Sequence, residues 1–237
     1  MLRKMKLSVV IPVYNEELTI KEIIDRVLAV PLEKEIIVVD DGSTDRTPEI
    51  LKSAKDRVTV VYNSLINIGK GAAIRIGFEQ VKGDIIIIQD ADLELDPSEY
   101  PRIIEPIMEG RADVVYGSRF LGGAGKKETN LANYLANKLL AYLTNILYGS
   151  HLTDMETAYK CFRLDVIKKM RLKSIGFEIE PELTAKTLRL GYKIYEVPIS
   201  YHPRRIEEGK KIGFMDGIRA VYYLFKWKFA KIREIEK

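Results

Sequence analysis

The chain has 237 residues, 46% of them hydrophobic, and carries a formal net charge of +4. This length and composition suit one large α/β domain, or one domain with an appendage, and exclude a disordered chain. The single cysteine excludes a disulfide framework and fits a reducing compartment.

The positive charge is concentrated at the carboxyl-terminal end. From Arg204 to Lys237 there are ten lysines and arginines against five aspartates and glutamates, and the preceding residues sum to −1. A nearly neutral body with a basic, aromatic tail indicates an anionic surface or ligand at that end, rather than nucleic acid bound over the whole surface. No segment approaches the ~20 apolar residues of a membrane-spanning helix, so we expect a soluble or peripheral protein.

Apolar strand-like segments alternate with helix-like segments in the first half of the chain. The predicted strands are at 7–13, 35–39, 58–62, 85–88 and 112–116. This alternation predicts a mostly parallel sheet with helices on both faces. Ligands of such sheets bind at the carboxyl ends of the strands, so the residues that follow each strand are candidates for a site.

The first two strands are followed by groups that can bind a nucleoside. Pro12 fixes the exit of the first strand, Tyr14 offers an aromatic face to a base or ribose, and Glu16 can accept hydrogen bonds. After the second strand, Asp41 can accept from a base N–H. The alternative for Glu16 is an ordinary acidic helix start.

The third strand is followed by a helix start with two glycines and Lys70. It resembles a phosphate-binding helix N-terminus but lacks the Walker spacing, which disfavours an NTPase. Lys70 can still neutralise a diphosphate.

The fourth strand is followed by three acids, Asp90, Asp92 and Glu94. In extended geometry residues two apart face the same way, so the three carboxylates can point to one side. Such oxygen ligands suit a hard divalent cation, which commonly accompanies a diphosphate. The alternative is an acidic N-cap for the helix predicted to begin near Pro97.

Five motifs in fixed order carry a resemblance. They are Pro-Val-Tyr-Asn-Glu, Val-Asp-Asp-Gly-Ser-Thr-Asp, Asn-x-Gly-Lys-Gly-x-Ala, Asp-Ala-Asp and Gly-Ser-Arg. Together they resemble family 2 glycosyltransferases of the GT-A fold, and more closely the dolichyl-phosphate mannose synthase and polyprenyl-phosphate glycosyltransferase branch. The resemblance covers about residues 6–213 and implies a Rossmann-like GT-A domain over 1–205, followed by a basic loop and an amphipathic, membrane-proximal helix over 206–237.

The resemblance also assigns roles to residues of the site. It implies a nucleotide-sugar site made by Pro12, Tyr14, Glu16, Val39, Asp41, Lys70, Asp90 and Ala91. It implies that Mg²⁺ or Mn²⁺ is held by Asp90, Asp92 and Glu94, although related synthases often carry Gln at the last position. The acceptor phosphate and the donor diphosphate would be bound by Arg119, Arg204, Arg205, Lys210 and Lys211, and the catalytic residues would be Asp92, Arg119 and Glu156.

Two acids, Asp154 and Glu156, precede the buried-looking segment around Cys161. A hydroxyl acceptor must lose a proton as it attacks, so one of these acids would then be the general base. A phosphate acceptor is already an anion and needs no base. In that case the acid would orient the sugar hydroxyls or a basic residue.

Two long helices are predicted in the second half. The helix over 131–148 has one charged residue, Lys138, and is either packed between other elements or laid in a membrane interface. In the segment 214–233, apolar residues recur at helical spacing among basic residues, and Trp227 is predicted as an interfacial anchor. This pattern suits a helix lying on an anionic membrane, or equally one docked on the sheet.

The function implied by the resemblance is inverting, metal-dependent transfer of a hexose, with mannose or glucose favoured. The donor would be a GDP- or UDP-sugar and the acceptor a dolichyl or polyprenyl phosphate, in protein glycosylation at the cytoplasmic face of a membrane. The resemblance also allows for a membrane-anchoring partner subunit, and nucleic acid is not expected as a partner. The alternatives are a glycosyltransferase that acts on a saccharide or protein hydroxyl, and a non-catalytic nucleotide-sugar-binding module.

Overall fold

The computed structural model of the chain describes residues 5–121, 131–204 and 214–236. Three predicted site residues, Arg205, Lys210 and Lys211, lie outside the described residues. Within these ranges, no helix combines the length and the hydropathy needed to cross a membrane.

The described chain forms seven strands and eight α-helices. The strands are β1 Leu7–Val13, β2 Lys34–Asp40, β3 Val60–Asn63, β4 Ile85–Ile88, β5 Val114–Ser118, β6 Lys160–Arg163 and β7 Ile194–Pro198. The helices are α1 Ile20–Ala29, α2 Thr47–Ser53, α3 Lys70–Gln80, α4 Tyr100–Met108, α5 Leu131–Tyr148, α6 Leu164–Lys169, α7 Ile179–Arg189 and α8 Phe214–Phe229.

All seven strands belong to one sheet, in the order β3-β2-β1-β4-β6-β5-β7. Every neighbouring pair is parallel except the two that involve β6, which runs antiparallel between β4 and β5. The predicted α/β fold with a mostly parallel sheet is therefore confirmed. The antiparallel insertion of β6 was not predicted, because a four-residue strand carries no local sign of its direction.

Helices cover both faces of the sheet, as the alternation of strands and helices predicted. The isoleucines and valines of α1 and the apolar side of α4 pack with β1, β2 and β4 into one core. On the opposite face, α3, α6 and α7 pack against the other side chains of the same strands. The central strands are buried on both faces, which explains their continuous β-branched sequences.

Helices α5 and α8 pack on each other beside α7. Leu140 of α5 and Ala220 and Leu224 of α8 form a small buried cluster with Met155, and the Tyr148 hydroxyl donates to the Leu224 carbonyl at 2.6 Å. Both predicted long helices are therefore present, and α5 has the predicted bounds.

The expectation that Trp227 is an interfacial anchor is wrong. Its side chain is only 1% exposed, and the ammonium of Lys186, on α7, lies 3.7 Å from the centre of the indole ring. Arg189 donates to the carbonyl oxygens of Trp227, Lys228 and Ala230 at the end of α8. This side of α8 therefore docks on α7, through a desolvated cation–π contact and a capped helix end.

Two glycine-to-alanine substitutions are expected to have opposite effects on stability. A Cβ at Gly77, on the buried side of α3, would lie 2.4 Å from Val10 Cγ1, whereas a Cβ at Gly217 in α8 meets nothing within 4 Å. Val10 is β-branched and buried in β1, so it cannot move aside cheaply, and overpacking costs about 1–3 kcal/mol. Gly217→Ala instead gains about 0.5–1 kcal/mol of helix propensity.

Thermal unfolding followed by circular dichroism measures both effects. At about 2–4 °C per kcal/mol for a chain of this size, Gly77→Ala should lower the midpoint and Gly217→Ala should raise it. An unchanged or raised midpoint for Gly77→Ala would contradict the close packing of α3 on β1.

Candidate functional site

The predicted site residues gather at the carboxyl ends of the parallel strands. β1 lies between β2 and β4, so the chain connections diverge to the two sides of β1. In open α/β sheets, ligands bind in the crevice at such a switch point. Tyr14 and Glu16 follow β1, Asp41 follows β2, the acidic segment follows β4, and Arg119 follows β5.

The acidic segment after β4 is a turn rather than an extended chain. β4 ends at Ile88, and Leu93 adopts a φ of +63°. The Asp92 carboxylate accepts from the Glu94 backbone N–H at 3.1 Å. The prediction that alternation in an extended chain aligns the three acids is therefore wrong, although they remain close enough to influence one another.

Negative charge accumulates around Asp92. Burial, together with the charges of Asp90 and Glu94, raises the pKa of Asp92 to about 7. Within residues 5–121, 131–204 and 214–236, no three His, Cys, Asp or Glu side chains converge as a metal site, and one oxygen of Glu94 accepts from the Arg204 backbone N–H at 2.9 Å. The donor set of hard oxygens with an uncompensated charge nevertheless fits a divalent cation, and Asp90 and Asp92 would hold it.

A chain of buried charges connects Asp90 to α7. The Lys70 ammonium lies 2.8 Å from an Asp90 oxygen and 3.2 Å from a Glu180 oxygen, and Glu180 also pairs with the ammonium of Lys160. Burial disfavours the charge on Lys70, but Asp90 and Glu180 outweigh it and raise the pKa of Lys70 above its ordinary value. Lys70 therefore stays charged and balances one carboxylate of the acidic turn.

The amides before α3 are already bonded. Asp41 accepts from the Ile68 N–H at 2.9 Å and from the Gly69 N–H at 2.7 Å, and the Ala72 N–H donates to the Ile175 carbonyl. Gly69 has a φ of +121°, and a Cβ there would lie 2.4 Å from that carbonyl oxygen, so only glycine fits. The amides of Ile68, Gly69 and Ala72 are thus used within the protein, and the charged group of this segment is the Lys70 side chain.

Arg119 forms a bidentate ion pair with Asp154. Its Nε and Nη2 each lie 2.7 Å from an Asp154 oxygen, and its backbone N–H donates to the same carboxylate at 3.0 Å. Asp154 is completely buried, and Glu196 holds its backbone N–H at 3.0 Å. Of the roles predicted for Asp154, this geometry supports the orientation of a basic residue.

Glu156 lies in a different environment. Its Oε1 is buried and has no hydrogen-bond partner among the described residues. Burial raises the pKa of Glu156 to about 7, with Lys160 opposing and Glu180 reinforcing the effect. A carboxylate with an unsatisfied buried oxygen is available to accept a hydrogen bond or a proton from a ligand.

Arg204 closes the other side of the cleft. Its guanidinium lies 2.7 Å from a Glu16 oxygen and donates to the Asp92 carbonyl at 2.8 Å. The ring of Tyr201 lies 5.2 Å from the guanidinium carbon of Arg119, and burial, followed by the charge of Glu94, raises the pKa of the Tyr201 hydroxyl. The two arginines and the acidic turn therefore belong to one site.

The remaining predicted residues lie at or just after the carboxyl ends of β1, β2 and β4. Pro12 pairs with Val39 in the register of β1 and β2, and Tyr14 is partly exposed. The side chains of Val39 and Ala91 are buried in the core, so at these two positions only the main chain can contact a ligand.

Sequence reasoning missed Glu180 and Lys160 as members of the site. The acids at the start of α7 are explained by the positive helix end alone, so their spacing contains no signal. Their role depends on a contact between α7, β6 and α3 that only the tertiary structure creates.

Comparison with known proteins identifies relatives of the chain. The model of the family Glycosyl transferase family 2 matches residues 8–171. The low-salt glycan biosynthesis hexosyltransferase Agl6 of Haloferax volcanii is 35% identical over 222 residues, which cover 92% of this chain and 52% of that protein. The dolichol-phosphate mannosyltransferase of Pyrococcus furiosus is 31% identical over 231 residues, 94% of this chain and 65% of that protein. The chain thus spans about half to two thirds of their length.

Another relative matches almost end to end. The undecaprenyl-phosphate mannosyltransferase of Micrococcus luteus is 29% identical over 234 residues, 95% of each chain. Among solved structures, glucosyl-3-phosphoglycerate synthase from Mycobacterium tuberculosis superposes with a TM-score of 0.72 at 24% identity, over 96% of this chain and 81% of that one. That enzyme has also been solved with Mn²⁺, UDP and glucosyl-3-phosphoglycerate. The likeness confirms the predicted GT-A fold.

Replacing Glu156 with glutamine is expected to stabilise the protein more at pH 8 than at pH 5. The folded-state pKa is about 7 against an ordinary value of 4.5, so the folded protein keeps a proton that the unfolded chain releases. The stability that this proton provides is present at low pH and is lost as the pH rises to about 7. The glutamine side chain does not ionise, so the variant does not lose this stability as the pH rises.

The measurement is the thermal midpoint of both proteins at the two pH values. The advantage of Glu156→Gln should grow by about 5 °C between pH 5 and pH 8. Glu105→Gln, on the exposed side of α4, is the control for the loss of one charge. A pH-independent difference for Glu156→Gln would contradict the raised pKa.

Proposed function

Because the chain belongs to glycosyl transferase family 2, as its five ordered motifs predicted, we propose that it transfers a hexose from a nucleoside diphosphate sugar to a polyprenyl phosphate. The observation that carries this proposal is the composition of one cleft, where the acidic turn after β4 lies beside two arginines, Arg119 and Arg204. The acids suit a cation and a diphosphate, and the arginines suit a second phosphate.

The names of the relatives support the lipid acceptor. Two of the three relatives described above are named as mannosyltransferases of dolichol phosphate or undecaprenyl phosphate, and the third is named a hexosyltransferase. We propose the same acceptor class here, with mannose or glucose as the sugar and GDP or UDP as the nucleotide.

The donor is proposed to bind across the ends of β1, β2 and β4. Tyr14 would face the base or ribose, and Glu16 and Asp41 would accept hydrogen bonds from the nucleoside, beside the main chain of Pro12 and Val39. The diphosphate would then lie near Lys70 and Ala91, over the acidic turn. A divalent cation, Mg²⁺ or Mn²⁺, held by Asp90 and Asp92 with Glu94 nearby, would stabilise negative charge on the leaving diphosphate.

Arg119 and Arg204 are proposed to bind the acceptor phosphate and the donor diphosphate, together with Arg205, Lys210 and Lys211. Asp154 fixes the guanidinium of Arg119 in one orientation, so little side-chain entropy is lost when it binds phosphate. A guanidinium stays charged at every physiological pH and matches two phosphate oxygens at once.

The reaction follows from these positions. An oxygen of the lipid phosphate attacks the anomeric carbon of the donor, the new carbon–oxygen bond forms as the bond to the diphosphate breaks, and the nucleoside diphosphate leaves. A single displacement of this kind inverts the anomeric configuration. The attacking phosphate is already anionic, so no base is required, and Glu156 is proposed to orient a sugar hydroxyl.

A hydroxyl acceptor is the second candidate, and one observation favours it. Glu156 has an unsatisfied buried oxygen and a pKa of about 7, which are the properties of a general base that operates near neutral pH. In that case Glu156 would take the proton of the attacking alcohol.

The position of the enzyme in the cell is also proposed. We expect residues 1–205 to act as the catalytic unit and residues 206–237 to lie near the cytoplasmic face of a membrane, where the lipid phosphate is found and where protein glycosylation can use the product. The excess of basic residues in this tail supports the proposal.

Purified protein is expected to transfer label from a radioactive GDP- or UDP-sugar into a mild-acid-labile, organic-extractable lipid. The assay contains polyprenyl phosphate and Mg²⁺ or Mn²⁺, and a panel of donors identifies the sugar. EDTA should abolish the transfer, and Asp92→Asn should reduce it about 100-fold or more. Asp165→Asn, on the surface of α6, should leave it unchanged. Nucleotide release without lipid labelling would reject the lipid acceptor, and no turnover with any donor would favour a binding module.

Glu156→Gln separates the two acceptor classes. With a phosphate acceptor, this variant should lose less than about tenfold in turnover and should keep the shape of the pH–rate profile, because no proton is removed. If Glu156 is a general base, the variant should instead lose about 10²–10⁴-fold in turnover. The decrease in rate below the pKa of Glu156 should also disappear from its pH–rate profile. The second result would indicate that the acceptor is a hydroxyl group and not a lipid phosphate.

A further inference from the structure

The two edges of the sheet are built differently. β7 forms one edge and β3 forms the other. β7 contains Glu196 and ends at Pro198, which has no N–H to donate, and the guanidinium of Arg102 donates to the Pro198 carbonyl oxygen at 3.0 Å. Charged residues, prolines and occupied backbone groups are the features by which edge strands avoid pairing with another chain. The β7 edge is therefore protected.

β3 has no comparable protection. The stretch 58–69, which contains β3 and which we call the β3 edge, has no charged residue and no proline, although 30% of the whole chain is charged. Tyr62 is 43% exposed, and Leu65 and Ile66, which follow the strand, are 100% and 68% exposed. An uncharged edge strand beside exposed apolar side chains is typical of a surface that pairs with another strand.

The backbone of β3 also presents hydrogen-bonding groups at this edge. The Ser64 N–H donates to the Asp40 carbonyl oxygen of β2 at 2.8 Å, and alternate residues of a parallel strand face the same neighbour. Tyr62 therefore directs its N–H and C=O toward β2, whereas Val61 and Asn63 direct theirs away from the sheet. In the described part of the chain, β2 is the only strand beside β3. The outward groups are thus open to a further strand.

The composition of the β3 edge indicates which partner it fits. A strand from a strongly acidic or basic partner would find no complementary charge in residues 58–69. A second copy of the chain brings an edge of the same neutral composition, so no like charges meet. Two antiparallel copies of β3 also match donor for acceptor. Val61 of each copy faces Asn63 of the other, and each such pair exchanges two hydrogen bonds.

We propose that the β3 edge pairs antiparallel with the β3 edge of a second copy and forms a twofold-symmetric dimer with one continuous sheet. In this register the two copies of Tyr62 lie opposite each other as a non-hydrogen-bonded pair, the arrangement in which cross-strand side chains are closest. Leu65 and Ile66 then extend along the start of β3 in the second copy. Because β3 has four residues, the backbone contact is small and the dimer should dissociate on dilution.

This dimer goes beyond the proposed function and does not depend on it. β2 and β1 separate β3 from β4 and the acidic turn, and the β3 edge contains none of the proposed catalytic residues. Association can therefore be measured with the purified chain in the absence of any substrate.

Sedimentation velocity over a range of protein concentrations tests the dimer. The wild-type chain should shift from monomer to dimer as its concentration rises. Tyr62→Lys places two ammonium groups opposite each other and should weaken dimerisation about tenfold or more. Tyr195→Lys is the matched control, because Tyr195 is 44% exposed on β7, and it should dimerise like the wild-type chain. Circular dichroism verifies that each variant folds.

A cysteine at position 62 tests the register. Opposite Cα atoms of a non-hydrogen-bonded pair lie about 4.5 Å apart, which is within the range that a disulfide spans. The native Cys161 is buried, so Tyr62→Cys introduces an exposed thiol and should give a disulfide-linked dimer under mild oxidation. Tyr195→Cys, treated in the same way, should remain monomeric.

Three results would overturn the proposal. A wild-type chain that stays monomeric at every concentration would exclude the second copy as the partner of this edge. A dimer that Tyr62→Lys does not weaken would place the interface elsewhere. Weakening by Tyr62→Lys without cross-linking by Tyr62→Cys would reject the antiparallel register.

Discussion

The carboxylate of Glu180 lies between the ammonium groups of Lys70 and Lys160, and much of the cleft is positioned through this contact. Lys70 reaches from α3 to Asp90, after β4. Lys160 begins β6 and donates to the carbonyl oxygens of Met155 and Thr157. One buried acid on α7 therefore joins the acidic turn after β4 to the segment that holds Asp154 and Glu156. Removing one member of such a buried group leaves the charges of the others uncompensated. The loss of folding stability is therefore far larger than when one member of an exposed ion pair is removed.

The acids of the cleft fall into two groups by how their charge is balanced. Glu16 and Asp154 each contact an arginine, and Asp90 contacts Lys70. Asp92 and Glu156 are the acids of the cleft whose pKa values burial raises to about 7. Folding therefore disfavours the charged form of these two carboxyls. The distribution is typical of a functional site rather than of a structural ion-pair network.

Local sequence predicted the frame of the protein well. The bounds of β1, β4 and α5 match the predictions residue by residue, because runs of β-branched or apolar residues define them. The sequence also predicted which residues lie together at the carboxyl ends of the strands, since parallel strands bring these ends to one edge of the sheet. The sequence did not predict three features of the structure: the turn at Leu93, the docking of Trp227 on Lys186 and the ion pairs of Glu180. Each depends on a backbone conformation or a contact between distant elements, and no local pattern encodes it.

The antiparallel strand β6 has a consequence for the order in which the protein can assemble during synthesis. β5 is made about forty residues before β6, yet its hydrogen-bonded neighbours in the sheet are β6 and β7. As the chain leaves the ribosome, β1 to β4 can pair with one another, whereas β5 must wait for a strand that has not yet been translated. Arg204 reaches back 188 residues to Glu16. Of the cleft residues named above, Arg204 is therefore made last, and a nascent chain that stops before β6 lacks Lys160, Glu180 and Arg204.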